Sequence, residues 1–206
     1  MKTKTVSKII FTMIISNFLG AGVALACDDH NMAAAETKVL PGNSVYQLQS
    51  TWVDQKNSKI KFSELAGKPR IIAMVYTKCK SACPLLVHDI KGTIAKLPKN
   101  ISDQIQIDLF SFDSEEENSN SLSEFKSKYE LSDNWSIFYG NKGSVAELAA
   151  VLGVQYKKLD GGEYVHSNVV FYLNEYGEIK GKQEGLGRDS SDFIQSIEKN
   201  SSKKGN

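Results

Sequence analysis

Two cysteines with three residues between them offer the clearest chemistry in this sequence. Cys79 and Cys83 lie in the segment YTKCKSACP (residues 76–84), between a strongly apolar run and a segment of helical periodicity. Two thiolates held together at such a turn suit Cu(I), and without a metal they can close a disulfide. Because Cys83 falls in the first turn of the predicted helix, where unpaired N–H groups favour an anion, we expect its pKa to be lowered.

A purely structural disulfide is the main alternative for this pair. A loop closed by so few residues restrains the unfolded chain little, so it would add less than the roughly 3 kcal/mol of a loop of about 15 residues. The chain has three cysteines in all, too few for a disulfide framework. We therefore favour a chemical role for Cys79 and Cys83.

The third cysteine, Cys27, follows a segment that is typical of an export signal. Residues 1–26 contain three lysines and no acidic residue, then an apolar run that ends in Ala24-Leu25-Ala26. A cysteine at this place is the lipidation site of a bacterial lipoprotein, so we expect Cys27 to be a lipid anchor. An uncleaved anchor and a simply secreted form are the alternatives. All three place the folded body outside the cytoplasm, on the periplasmic or extracytoplasmic side of the bacterial cell membrane.

The remaining chain is long enough for one domain. We expect a tether over residues 27–43, a domain over residues 44–199 and a disordered tail over residues 200–206. The formal net charge of the 206 residues is +1, and no basic stripe is present. Nucleic-acid binding is therefore not expected.

Alternating strand and helix patterns predict an α/β fold with a mixed sheet flanked by helices. Short strand-like runs at residues 45–52 and 58–62, on either side of residues 54–57, predict an N-terminal β-hairpin. The continuous apolar run 70–77 predicts a buried strand, and residues 85–97 predict a helix that stops at Pro98. Further strands are predicted at 105–112, 135–138, 154–158, 168–173 and 178–182, and further helices at 122–129, 144–152 and 189–199.

The order and spacing of several motifs resemble those of the SCO/SenC family over residues 45–199. The motifs are Gly67-Lys68-Pro69, the cysteine segment, Phe110-Ser111-Phe112-Asp113, Gly153-Val154, and His166-Ser167 before the strand that ends at Leu173. This resemblance implies a thioredoxin-like fold, in a protein that binds a copper ion through Cys79, Cys83 and His166.

The resemblance also implies a role in assembling the copper centre of cytochrome c oxidase, with the oxidase's copper-bearing subunit or another copper chaperone as partner.

The histidine ligand rests on the resemblance. By itself, His166 lies in a predicted loop before an apolar strand, where a histidine is more often a hydrogen-bonded loop residue than a ligand. The chain also departs from the family at Lys80-Ser81-Ala82 between the cysteines, at Val165 and in residues 114–118. None of these departures removes a ligand, but they change residues that orient ligands and tune metal preference.

Other candidate groups have plainer interpretations. His88 is expected to face solvent on the helix that begins near Cys83. Residues 27–32, which include His30 and Met32, are either a polar spacer or a metal-capturing tether. The carboxylates Asp113, Glu115 and Glu117 are expected in a solvated loop, with a catalytic pair as the alternative.

An extracytoplasmic thiol-disulfide oxidoreductase is the competing function, so whether the chain is an enzyme stays open. Such enzymes usually carry Cys-x-x-Cys and a cis-proline before a facing strand, whereas every proline here precedes residue 100. A peroxidase is disfavoured because the Pro-x-x-x-Thr-x-x-Cys signature of peroxiredoxins is absent: Ala73 stands six residues before Cys79, and no proline is nearby. Copper chaperone and thiol reductase can coexist, because delivery of Cu(I) to thiols requires those thiols to be reduced.

Overall fold

The computed structural model describes residues 40–201. The expected signal segment, Cys27, His30, Met32 and residues 202–206 lie outside this range, as does most of the expected tether. Within residues 40–201, no helix has the length and hydrophobicity that crossing a membrane requires.

The described residues form a mixed α/β structure around a seven-stranded sheet with the strand order β2-β1-β5-β4-β3-β8-β9. Strands β3, β4 and β5 are parallel neighbours, whereas β1, β2, β8 and β9 pair in antiparallel fashion. The strands of this sheet are β1 (Thr51–Asp54), β2 (Lys59–Lys61), β3 (Arg70–Val75), β4 (Gln106–Ser111), β5 (Trp135–Gly140), β8 (Val169–Leu173) and β9 (Ile179–Glu184).

Within residues 40–201, five α-helices accompany the sheet. The helix α4 ends at Gly153, which has φ +68° and so supplies the left-handed residue that commonly terminates a helix. The helices are α1 (Ala82–Lys96), α2 (Lys99–Ser102), α3 (Ser119–Lys128), α4 (Lys142–Leu152) and α5 (Ser191–Ser201). The predicted fold class, a mixed sheet flanked by helices with an N-terminal hairpin, is confirmed.

The centre of the sheet is buried as the apolar sequence runs predict. Residues 71–75 of β3 are all buried, which is what a central strand covered on both faces requires. On the adjacent strand β4, Phe110 packs against Trp52 and Phe62 at ring-centroid distances of 4.8 and 5.3 Å. This core holds the carboxyl ends of β3 and β4 in fixed positions.

Three predictions of local structure were wrong. Residues 200 and 201, expected in the disordered tail, are the last two residues of α5. Residues 45–47, predicted in a strand, form a 3₁₀ helix that begins after Ser44, whose hydroxyl accepts a hydrogen bond from the Tyr46 N–H. The strand predicted at residues 154–158 is present as β6 (Tyr156–Lys158), but the loop predicted around His166 contains a further strand, β7 (Tyr164–His166). The two strands pair as a separate two-stranded sheet. His166 therefore ends a strand and does not lie in a loop. Strands of three residues are too short for alternation to show in a sequence.

Candidate metal centre

The two cysteines lie where β3 ends and α1 begins. We call residues 76–81 the cysteine loop. Its turn is closed by the Cys79 N–H, which donates to the Tyr76 carbonyl at 3.2 Å. The Cys83 N–H then donates to the Cys79 Sγ atom at 3.2 Å. Since the Ser81 side chain makes no cap bond, the sulfur of Cys79 takes the place of a helix N-cap.

The third residue is carried by the β6–β7 pair, which we call the histidine ribbon. Its turn depends on Gly162, which has φ +80° and donates its N–H to the Leu159 carbonyl at 2.9 Å. In the ribbon, His166 is paired with Tyr156. The Nδ1 atom of His166 lies 3.1 Å from the Ser167 carbonyl, so Nδ1 is the protonated nitrogen and Nε2 is left as the ligand atom.

The structure brings all three predicted residues together. One ligand atom from each of Cys79, Cys83 and His166 lies within 4.8 Å of the other two. Both cysteines are free thiols, buried to 4% and 0% exposure respectively. Among the described residues this is the one cluster of three such groups, and His88 is an exposed residue of α1 outside it.

The expected lowering of the Cys83 pKa is wrong. Burial, the largest influence, raises the pKa of the Cys83 thiol well above its usual range, and the charges of Cys79 and Glu117 raise it further. The Cys79 pKa is instead lowered: burial raises it, but hydrogen bonds from Cys83, Ser81 and Ala82 outweigh that effect. The physical reason is position, because the helix N–H groups point at Cys79, whereas the Cys83 side chain projects into the core.

The imidazole of His166 is in a form that could bind a metal at neutral pH. Burial lowers the pKa of its imidazole, against a smaller opposing effect of the bond to Ser167. The ring is therefore neutral at pH 7, which is the form that binds a metal. Two soft thiolates with one imidazole fit Cu(I) as a three-coordinate set, whereas Cu(II) needs further donors.

An aromatic cluster supports the histidine, and sequence reasoning gave its members no role. The Phe112 ring lies 4.7 Å from the imidazole of His166, and the Tyr76 ring meets it edge-on at 6.3 Å. Phe112 also contacts the rings of Tyr76, Tyr156 and Tyr164, at centroid distances of 5.0 to 5.6 Å. The aromatic cluster consists of Tyr76, Phe112, Tyr156 and Tyr164.

The acidic segment, residues 113–117, is not the solvated loop that we expected. Asp113 is only 3% exposed, and its Oδ1 atom accepts hydrogen bonds from the N–H groups of Glu115 and Glu116. Glu117 is partly buried and bonded to the cysteine loop, to the end of β4 and to α3. Glu115 and Glu116 are exposed, as expected.

The cluster opens to solvent through a pocket of about 240 Å³ between the cysteine loop and the histidine ribbon. Its walls include Cys79, Ser81 and Ala82 on one side and Tyr164 and His166 on the other. Cys83 does not line the pocket. A metal ion or a reactive group of another molecule therefore reaches Cys79 and His166 first.

The mixed sheet flanked by helices is a thioredoxin-like fold. A dithiol at the carboxyl end of its central strand β3 lies beside a histidine of the histidine ribbon, and the three residues form a Cys–Cys–His cluster. The chain belongs to the SCO1/SenC family, whose model matches residues 41–201. The family resemblance seen in the sequence is thereby confirmed.

Individual relatives agree with this assignment. The chain is 28% identical over 126 residues to the SCO1 protein homolog of Bacillus subtilis (strain 168), a match that covers 60% of this chain and 65% of that protein. A SCO1/SenC family lipoprotein from Bacillus anthracis str. Ames is 18% identical, with a TM-score of 0.65 over 73% of this chain and 92% of that one. Arabidopsis thaliana ScoI with copper bound is 16% identical, with a TM-score of 0.65 over 73% and 96%. At these identities the two structures show the fold alone.

Proposed function

We propose that this protein is a copper metallochaperone that holds one copper ion through Cys79, Cys83 and His166. The observation that carries the proposal is the convergence of the three ligand atoms within 4.8 Å. The donor set is chemically suited to Cu(I). Family membership and the bound copper of the Arabidopsis relative support the choice of metal.

The residues of this chain divide the work of binding. The Ser167 carbonyl holds the imidazole through Nδ1, so Nε2 is presented to the metal without reorientation. The lowered pKa of Cys79 makes it the first thiolate available at the pocket. The buried Cys83 thiol gives up its proton as the metal binds. Since the pocket is open, a partner's own ligands can reach the copper and exchange with those of this chain.

The recipient in this proposal is the copper-bearing subunit of cytochrome c oxidase, and the function is assembly of its copper centre. We propose further that the domain acts outside the cytoplasm, held at the membrane through its N-terminal segment with Cys27 as lipid anchor. The lipoprotein character of the Bacillus anthracis relative supports this placement.

Copper titration of the reduced full-length chain in detergent, under anaerobic conditions, tests the site. We expect one tightly bound Cu(I) in competition with a chromophoric chelator. His166→Ala should weaken binding by about tenfold or more, because loss even of a ligand-orienting partner costs that much. The double variant Cys79→Ser/Cys83→Ser should abolish tight binding, whereas His88→Ala, which removes an exposed histidine of α1, serves as the matched control and should leave affinity unchanged.

A thiol-disulfide oxidoreductase is the second candidate. It is favoured by the two free, adjacent cysteines, of which the one at the pocket has a lowered pKa. Copper affinity that does not respond to His166→Ala, together with reduction of a disulfide substrate that requires Cys79, would replace the chaperone by this function.

A further inference from the structure

We infer that the acidic segment, residues 113–117, ties the cysteine loop to the histidine ribbon and so sets the spacing of the three ligand atoms. The inference rests on the proposed copper site and identifies Glu115, Glu116 and Glu117 as positioning residues for it. None of the three is in the group of possible metal ligands. They act through the two parts of the chain that carry the ligands.

Glu117 holds the cysteine loop. Its carboxylate accepts hydrogen bonds from both the N–H and the hydroxyl of Thr77, at 2.7 and 2.8 Å. The same carboxylate accepts from the hydroxyls of Ser111 at 3.0 Å and Ser121 at 2.6 Å. Thr77 lies two residues before Cys79, so the start of the cysteine loop is fixed to the end of β4 and the first turn of α3. Hydrogen bonds to a charged acceptor are about twice as strong as neutral ones.

Glu115 and Glu116 hold the histidine ribbon. The Lys158 ammonium, at the end of β6, lies 2.8 Å from Glu115 and 3.5 Å from Glu116. It also lies 5.7 Å from the ring centre of Tyr164, so one lysine joins the acidic segment to both strands of the ribbon. Glu116 forms a second ion pair, with Lys78 of the cysteine loop. The carboxylate of Glu116 therefore contacts both ligand-bearing parts.

This anchor matters because the ribbon is a separate sheet, outside the hydrogen-bonded ladder of the main sheet. Its base is joined to Ser167 through the N–H and carbonyl of Gln155. Beyond that base, ring contacts and the acidic segment help to hold the ribbon in place. If the acidic segment loses its contacts with either the cysteine loop or the histidine ribbon, the distance between the imidazole and the thiolates is less restricted. A metal bound by all three then dissociates faster.

The test compares Glu117→Gln and the double variant Glu115→Gln/Glu116→Gln with a control, Lys99→Gln. The control breaks an exposed ion pair between Lys99 of α2 and Asp103, the residue that follows this helix. The first measurement is the rate at which a chelator removes copper from the full-length chain. Glu117→Gln should raise this rate by about tenfold, since hydrogen bonds to a charged group are lost. The double variant should raise it by about threefold at low salt and not at high salt, because exposed ion pairs are weak and screened. Lys99→Gln should match the wild type.

The second measurement is amide hydrogen exchange of the metal-free chain, which a general loss of stability would move everywhere. Glu117→Gln should speed exchange in residues 77–79, whereas Glu115→Gln/Glu116→Gln should speed it in residues 156–166. The strand β8 should keep its protection in both. Lys158→Gln should reproduce the faster exchange that the double variant shows in residues 156–166. Combining Lys158→Gln with the double variant should speed this exchange no further, as expected for one shared interaction.

The outcomes separate the two proposals. Wild-type rates of copper loss and unchanged local exchange in both variants overturn the inference, whatever the copper affinity. Faster exchange over the whole domain overturns it as well, because the effect is then one of stability. If the wild type binds no copper at this site, the proposed function fails, and the exchange measurement still decides whether the acidic segment anchors the two parts.

Discussion

The two cysteines are four positions apart but differ in chemistry because of where each side chain points. Cys79 precedes α1 and receives its N–H groups, including that of Cys83 at 3.2 Å. Cys83 is already inside the helix and has no exposed surface. A helix N-terminus stabilises an anion placed ahead of its axis, and a side chain directed into the core gains little from it. Thiolate character is therefore assigned to the outer cysteine.

This assignment predicts the order of alkylation. In the reduced, metal-free chain, iodoacetamide should modify Cys79 before Cys83, since the thiolate is the nucleophile and Cys79 lines the pocket. The rate at Cys79 should rise with pH and level off below the ordinary thiol pKa, because its own pKa is lowered. Peptide mass spectrometry after timed quenching measures both. Earlier modification of Cys83 would contradict the assignment.

At the scale of elements, the end of β4 supports the histidine ribbon. Phe112 follows β4 directly, and its N–H donates to the Val75 carbonyl at 2.9 Å. Its ring contacts His166 and the ribbon tyrosines Tyr156 and Tyr164. The position of the ligand imidazole therefore depends on a side chain more than 50 residues away in sequence.

Replacing Phe112 by leucine should separate ligand placement from stability. We expect Phe112→Leu to lower the free energy of unfolding by on the order of 1 kcal/mol and to weaken copper binding, because the imidazole loses its packing surface. Phe138→Leu is the matched control: Phe138 is equally buried in β5 and stacks on Phe110 at 5.0 Å, away from the ribbon. Urea unfolding and copper competition should show similar stability losses but a copper effect for Phe112→Leu alone.

Across the whole molecule, the site and the most strongly charged part of the core occupy opposite ends of β3. The cysteines follow its carboxyl end, whereas Arg70 at its amino end pairs with Asp108 at 2.6 Å. Burial raises the pKa of Asp108 to about 6, although Arg70 opposes the shift. The Oδ1 atom of Asp108 is buried without a hydrogen-bond partner, so the ionised carboxylate is incompletely compensated there, which is the physical cause of the raised pKa.

The raised pKa predicts how stability changes with pH. Since the folded pKa exceeds the unfolded value, the contribution of Asp108 is complete below about pH 4 and is lost as the pH rises through about 6. Asp108→Asn cannot titrate. Its unfolding free energy relative to wild type should therefore increase by on the order of 3 kcal/mol between about pH 4 and about pH 7. Urea unfolding at several pH values measures this difference, and parallel curves for the two proteins would refute it.

The sequence predicted those parts of the site that are local in the chain. The apolar run before Cys79 and the helical periodicity after Cys83 placed both cysteines correctly at a strand-to-helix turn. His166 was identified through the family resemblance alone, because a three-residue strand leaves no periodic pattern. The role of Glu117 could not be predicted, since its bonds to Thr77 join residues 40 positions apart and depend on the packing of β3 beside β4. The direction of the Cys83 pKa failed for the same reason: burial of a particular side chain is decided by tertiary structure.

The histidine ribbon gives the ligand set an unequal architecture. Cys79 and Cys83 would form a local chelate on one turn of backbone, whereas the imidazole comes from a separate two-stranded sheet more than 80 residues farther along the chain. A metal bound by all three is a reversible cross-link between distant segments, and closing that loop carries an entropic cost that only the histidine bond incurs. In the proposed copper-delivery function, displacement of the ribbon would therefore begin a stepwise transfer, in which the metal stays on the two thiolates until a donor from the recipient replaces the first thiolate.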